Sequence, residues 1–349
     1  MAAALYGSRG FFTRPGASPA AHFRTSAHTS PLFAAAILRL AAQVDAALGR
    51  PDPLDLVDIG AGGGELLSAV VAAAAGSPLA PRLRPVAVEV TPRPAGPARV
   101  EGGTGNDPRA VAVTWRESVP EAVTGLLLAT EWLDNVPLDV AEVDTDGVVR
   151  YVLVDPATGE ESLGEPVAGP DRDWLARWWP LTEPGTRAEI GRPRDQAWAD
   201  AVARVRRGAA LAVDYGHLAG RRPPLGTLTG FRHGREVPPV PDGSCDLTAH
   251  VALDAVARAG APPDTDAEGA APYGPDTVLV TQAEALRRLG VDGTRPPLAL
   301  AHQDPTAYLR RLADASAAAE LTDPGGLGGH HWLLHPVALS HPIRPFVAR

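Results

Sequence analysis

Leu54 to Leu66, LDLVDIGAGGGEL, constrains the fold of this chain more than any other stretch. Leu54, Leu56, Val57 and Ile59 form a short apolar run, the pattern of a strand covered on both faces. Gly60, Gly62, Gly63 and Gly64 follow at once. Glycine lets the backbone turn sharply and approach a ligand that a Cβ would block. From Glu65 the pattern becomes helical, ELLSAVVAAAAG, and Gly76 is placed to stop it. Strand, glycine turn and helix in that order predict the first βα turn of a nucleotide-binding α/β sheet. Arg84 to Val90, RPVAVEV, reads as the second strand, with Glu89 at its end. An acid there can bind both hydroxyls of a ribose. The glycine spacing alone serves NAD, FAD and S-adenosylmethionine (SAM) sites alike. A plain βαβ unit with a solvated Glu89 is the bland alternative.

The chain has 349 residues, enough for one large domain or a core domain with an insertion. A net charge of −9 argues against nucleic-acid binding through phosphate contacts. All 32 basic residues are arginine, so Schiff-base and P-loop lysine chemistry are excluded. Cys245 stands alone, which excludes an internal disulfide and a multi-cysteine zinc site. His330, His331 and His335 lie close in sequence, but no spaced acid or cysteine completes a metal set. No apolar run approaches the roughly 20 residues that span a bilayer. The alanine, glycine, proline and arginine bias is that of a GC-rich bacterial genome, and a cytoplasmic location is expected. Arg9, Arg14, Arg24 and Arg39 precede the first acid, Asp45, in the manner of a transit peptide; the bacterial bias tells against one.

Along the chain, Ser30 and Pro31 predict a helix start, with Ile37, Leu40, Val44 and Leu48 as its apolar stripe and Gly49 as its end. Val111 to Trp115 reads as a short strand, and Gly125 to Thr130 as a strong one ending at Glu131. Val140–Val143 and Val148–Val154 flank Asp146-Gly147, a hairpin signal. Such a hairpin does not belong to a minimal α/β sandwich. It predicts an insertion over 138–193, which also holds Trp174 to Trp179, WLARWW. Those aromatics pack a core, cover a cofactor site or cap a small subdomain. The division expected is a leading segment over 1–53, a cofactor-binding half over 54–137, the insertion, and the rest of the core over 194–349.

Asp195 to Arg207 reads as helix and Ala209 to Asp214 as a buried strand. Asp246 or Thr248 is expected to cap a helix over Ala249–Ala259. Thr277–Val280 reads as a strand, Ala283–Leu289 and Pro305–Leu321 as helices, and Trp332–Leu339 as a last strand. Ala261 to Gly274 reads as a loop.

Several segments together resemble one family, the MidA-like SAM-dependent methyltransferases. That group includes the mitochondrial arginine methyltransferase needed for respiratory complex I assembly. The matching stretches are LYGSRGFF, HFRTSAHTSPLF, VDIGAGGGEL, VAVEV, ATEWLDNVPL, LAVDYGH, GTLTGFRHG, CDLTAHV and TQAEALRRLGV. They occur in the family's order from Leu5 to Val291, which also tells against a removable presequence. The resemblance implies a class I methyltransferase fold, α/β and Rossmann-like: a mostly parallel seven-stranded sheet with helices on both faces. It implies SAM as cofactor, with Asp58, Gly60, Ala61, Gly62, Gly64 and Glu89 around it. Glu131 and Asp134 fall on the family's E-x-x-D segment and are the expected catalytic pair, Glu131 also touching the cofactor. Asp214 and Tyr215 fall on its aspartate-tyrosine-glycine segment; with His217 they are the expected substrate contacts. The sequence departs at Thr25-Ser26-Ala27-His28, where the family has a threonine-serine-proline-glutamate run, and arginine specificity turns on that change. Of the family's leading helix only the end, near Ala3 to Leu5, is present.

Methyl transfer from SAM is an in-line displacement in which the enzyme positions the nucleophile and excludes water. The helix N-terminus after the glycine turn suits the cofactor's carboxylate. An arginine acceptor gives Glu131 and Asp134 a purpose. A guanidinium is a poor nucleophile while delocalised, and carboxylates can hold its other nitrogens. Equally open are a cofactor contact for Glu131, a turn-capping role for Asp134, and backbone capping by Asp214. His217 is a candidate proton acceptor or a simple loop residue. The leading expectation is a protein methyltransferase with arginine the favoured acceptor. The alternatives are a SAM-binding assembly protein with little turnover and an NAD-type oxidoreductase.

Overall fold

The computed structural model describes residues 1–14, 26, 30–91, 112–262, 273, 274, 276–339, 341 and 343. The helix-starting Ser30 is among them. The departure at Thr25, Ala27 and His28, and most of the loop expected over Ala261–Gly274, lie outside the described residues. The chain divides into two compact units. One comprises Arg24–Thr130, Arg204–Val213 and Val278–Arg349; the other comprises Met1–Phe23, Glu131–Ala203 and Asp214–Thr277.

The first unit is built on a seven-stranded sheet. In chain order its strands are β1 (Leu54–Ile59), β2 (Leu83–Val88), β3 (Thr114–Arg116), β4 (Val123–Thr130), β5 (Val205–Asp214), β6 (Val278–Thr281) and β7 (His331–Val337). Their order across the sheet is β6-β7-β5-β4-β1-β2-β3. The pairs β1/β2, β1/β4, β2/β3 and β4/β5 are parallel, and β6/β7 is antiparallel. This is the mostly parallel seven-stranded sheet that the resemblance implies. All six residues of β1 are buried, as a central parallel strand requires.

Helix Pro31–Ala47 lays Phe33, Ile37, Leu40 and Val44 into the same core as Leu54, Leu126 and Leu128. Ser30 caps it, its Oγ accepting from the Leu32 N–H at 3.1 Å. Leu128 is fully buried in that core. Leu128→Ala is therefore expected to cost about 2–5 kcal/mol, read as a lower denaturant midpoint at unchanged m-value.

One strand starts earlier than its sequence suggests. Arg204 to Gly208 reads as helix and turn, yet β5 begins at Val205 and helix Arg192–Ala203 ends before it. Gly125 and Gly208 are register partners on β4 and β5. A Cβ on Gly125 would collide with the Asp55 carbonyl, and one on Gly208 with the Gly125 carbonyl. These glycines admit close strand approach, a tertiary demand that overrides the local turn signal.

The second unit is mostly antiparallel. Four strands run in the order Glu161–Pro166, Val149–Val154, Asp139–Val143, Arg187–Ile190. The hairpin at Asp146-Gly147 is present, with Val143 opposite Val149 and Ala141 opposite Tyr151. Trp174 and Trp179 pack with Val167, Leu175 and Ile190 in this unit's own core, the packing role expected of them. Asp246 and Thr248 do not cap a helix. They lie in strand Asp246–Thr248, and the following helix is only Leu253–Ala259, with no side-chain cap at Ala252. Val251–Ala252 pairs with Gly216–His217 instead, which delays the helix start. No helix among the described residues is long and apolar enough to cross a membrane.

Candidate functional site

In the sheet unit the chain leaves β1 through a turn in which Gly60, Gly62 and Gly64 have φ of 68°, 54° and 80°. Side chains there would be strained, which explains the residue choice. The turn is tied to β2: the Gly60 and Ala61 N–H groups donate to the Val88 carbonyl at 3.0 and 3.2 Å. Glu89 faces this turn. Its Oε2 accepts from the Gly62 N–H at 3.0 Å, and its Oε1 accepts from the Thr91 N–H and hydroxyl, both at 2.9 Å. The next helix, Glu65–Ala74, starts at Gly64 with no side-chain cap, so its first N–H groups lack intrahelical partners. Such a helix start is suited to an anion.

The fit to a SAM-sized cofactor is tested at Gly62. Among the described residues a Cβ built there meets only the Glu65 carboxylate, at 3.9 Å, and no described residue fills the turn on that side. Carboxylates gather round it. Asp58 is buried at the end of β1, and burial, then the charges of Glu65 and Glu89, raise its pKa to about 8. A sulfonium and an ammonium are the charges such a place favours.

That raised pKa makes two predictions. The folded protein holds a proton on Asp58 between about pH 4 and pH 8 that the unfolded chain has released, so its contribution to stability falls as pH rises through that window. Asp246 (about 8) and Asp195 (about 7), both raised chiefly by burial, act in the same direction. A cationic ligand favours ionised Asp58. SAM binding is therefore expected to release up to about one proton near pH 7. Calorimetry in buffers of different ionisation enthalpy measures it, and proton uptake would contradict it.

In the second unit Glu131 follows the last residue of β4 and takes φ 50°, a left-handed conformation costly for a side-chain-bearing residue. A 3-10 turn, Leu133–Asn135, comes next. Asp214 serves this turn. Its Oδ2 accepts from the Leu133 and Asp134 N–H groups at 3.0 and 3.3 Å, and its Oδ1 from the Tyr215 N–H at 3.0 Å. Asp214 thus caps the backbone of this turn. Burial, then Asp134 and Glu131, push its pKa well above the carboxylate range.

Asp134 does not cap the turn. Its Oδ2 accepts from the Tyr215 hydroxyl at 2.5 Å and from the Thr248 hydroxyl at 2.7 Å, and the two hydroxyls touch each other. Its Oδ1 is buried with no hydrogen-bond partner among the described residues. Asn135 donates to Asp246 at 2.9 Å, and the Tyr6 hydroxyl, from the short helix Ala2–Tyr6, donates to the Asn135 carbonyl at 3.3 Å. His217 sits apart from this network. Arg222 donates to its Nδ1 at 2.7 Å, so the ring proton is on Nε2, and burial with Arg222's charge lowers its pKa to about 3. At neutral pH its Nδ1 lone pair is engaged and it offers only a donor.

Two buried residues went unremarked in the sequence. Arg194 is 1% exposed, and its guanidinium donates to the carbonyls of Asp134, Val136, Ala249 and His250. Glu189, also 1% exposed, accepts from the Thr227 and Leu228 N–H groups through Oε1. The only hint is that ATEWLDNVPL, GTLTG and DLTAHV, all matched to the family, supply backbone groups to these two side chains.

The seven-stranded sheet with its antiparallel β6/β7 pair is the class I methyltransferase fold that the resemblance implies. Residues 36–270 match the family described as "Putative S-adenosyl-L-methionine-dependent methyltransferase", and the chain belongs to that family. Its cofactor is accordingly S-adenosyl-L-methionine. Among solved structures, a Burkholderia thailandensis protein described as a "likely methyl transferase" and bound to S-adenosyl-homocysteine is similar in fold. It matches with a TM-score of 0.74 at 23% identity, over 99% of this chain and 87% of that one. A native structure of an uncharacterized protein from the same organism matches with a TM-score of 0.73 at 23% identity, over 99% of this chain and 88% of that one. No curated protein matches.

Proposed function

We propose that this methyltransferase acts on a protein side chain, with arginine the favoured acceptor. The observation that carries this reading is the Asp134 carboxylate. Two hydroxyls hold one oxygen, while the other is buried and unpartnered among the described residues. A buried acceptor left unmatched costs about 1–3 kcal/mol, and an N–H donor from an incoming cationic group would remove that cost. A guanidinium brings several N–H donors in a fork. Held by Asp134 and Glu131, its charge is drawn away from the attacking nitrogen.

SAM supplies an electrophilic methyl group. In-line transfer to the acceptor nitrogen would release the donor as a neutral thioether, and the proton lost from that nitrogen would pass to water. Asp58, Gly60, Ala61, Gly62, Gly64 and Glu89 are the residues proposed to hold the cofactor, Glu89 through the ribose hydroxyls. Glu131, Asp134 and Tyr215 are proposed for the acceptor; Asp214 supports them through the turn it caps. His217 is proposed to contact substrate only as an Nε2–H donor.

Incubation with deuteriomethyl-SAM and a host lysate, followed by peptide mass spectrometry, tests the acceptor. Deuteriomethyl arginine supports the reading; label confined to another residue type or to a small molecule replaces arginine. SAM binding with no transfer to anything would favour the assembly-protein alternative.

A further inference from the structure

We infer that Arg194 is a positioning residue for the acceptor site, holding the Asp134 turn and the Thr248 segment in register; this rests on the function proposed above. A guanidinium removed from water costs several kcal/mol unless its donors are matched. Here, among the described residues, the matching comes from main-chain carbonyls alone. Arg194 donates to Asp134 O at 2.5 Å, to Val136 O at 3.2 Å, to Ala249 O at 2.9 Å and to His250 O at 3.0 Å. The carboxylates of Asp134, Asp214 and Glu189 lie within electrostatic reach, yet among the described residues none of these carboxylates takes a hydrogen bond from it.

The four carbonyls belong to two segments far apart in sequence. One contains the 3-10 turn that bears Asp134. The other directly follows Thr248, whose hydroxyl donates to Asp134. Arg194 therefore grips the backbone on either side of the contact that orients the Asp134 carboxylate. The flanking supports agree with this. Thr227 Oγ1 accepts from the His250 N–H at 2.9 Å, and Glu189 holds the Thr227 and Leu228 N–H groups, so the Ala249–His250 segment is braced from a third stretch of chain. An ion pair would have neutralised Arg194 more simply. A forked donor set on carbonyls fixes backbone positions instead, which one lysine ammonium cannot do at four points.

The test is Arg194→Ala with and without added guanidinium chloride at non-denaturing concentration. Hydrogen exchange and labelled-methyl transfer from SAM into lysate protein are both read. Peptides over 131–137 are expected to exchange about 100-fold faster in the variant, while peptides over β1 keep their protection. Transfer is expected to fall about 100-fold through kcat, with KM for SAM unchanged, as misplacement of a reacting group requires. Guanidinium is expected to restore part of both and methylammonium neither. Arg194→Lys is expected to show the same split and serves if the alanine variant does not fold. Unchanged exchange over 131–137, equal loosening of β1, or full protection in Arg194→Lys would overturn the inference. If the wild type transfers no methyl group to anything, the function proposed above fails, while the exchange result still decides whether Arg194 holds the turn.

Discussion

Glu89→Gln is expected to weaken SAM binding nearly as much as Glu89→Ala, by about 10- to 100-fold. Each oxygen of Glu89 already accepts from a main-chain N–H, Oε2 from Gly62 and Oε1 from Thr91. A glutamine must turn its NH2 toward one of those donors, so the isosteric change breaks one contact and creates a repulsion. Hydrogen bonds to a charged group contribute about 1.5–3 kcal/mol, which is roughly 10- to 150-fold in affinity. The carboxylate also latches the glycine turn to the end of β2, so its loss loosens the shape of that turn as well as removing its proposed ribose contact. Equilibrium dialysis with labelled SAM measures both variants. Wild-type affinity in Glu89→Gln would show that neither the latch nor the charge matters.

Glu131→Gly is expected to separate stability from activity. Glu131 has φ 50°, where a side chain costs about 1–2 kcal/mol and glycine costs little. The glycine variant should therefore melt higher than the wild type, by an amount corresponding to about 1 kcal/mol after the flexibility it adds to the unfolded chain is allowed for. Methyl transfer should fall by about 10²–10³, the usual loss when one preorganised electrostatic contact to a reacting group is removed. Strain kept at a residue that glycine would relieve is typical of functional sites. Glu131→Gln keeps the strain and removes the charge, so it should lose transfer without gaining stability. Transfer at wild-type rate in Glu131→Gly would leave the strained backbone without a functional reason.

The strand, glycine turn and helix at the start of the sheet were readable because their signal is local. Leu54 to Leu66 changes from a buried-strand pattern to glycines to a helical pattern within a few residues, and Glu89 closes the next strand. Nothing distant is needed to see it. The second unit is different. Asp214 can cap a turn or meet a substrate, and local sequence does not say which; its partners at Leu133 and Asp134 are some 80 positions away. Arg194 lies in Arg-Pro-Arg-Asp, which reads as an ordinary charged helix start, and only the folded chain shows which carbonyls converge on it. Asp246 and Thr248 look like helix caps because such residues often precede helices. Here pairing of Asp246–Thr248 with Thr229–Arg232 makes them strand residues, and Thr248 turns its hydroxyl to Asp134. The family resemblance named these segments, but the hydrogen bonds their residues make come from contacts between segments.

The central claim is that the glycine turn with Glu89 is a SAM site and not a dinucleotide site. Titrating the wild-type protein separately with SAM and with NADH by calorimetry tests it most directly. The account predicts saturable binding of SAM, with proton release near neutral pH, and no heat from NADH. Saturable NADH binding with none for SAM would contradict it.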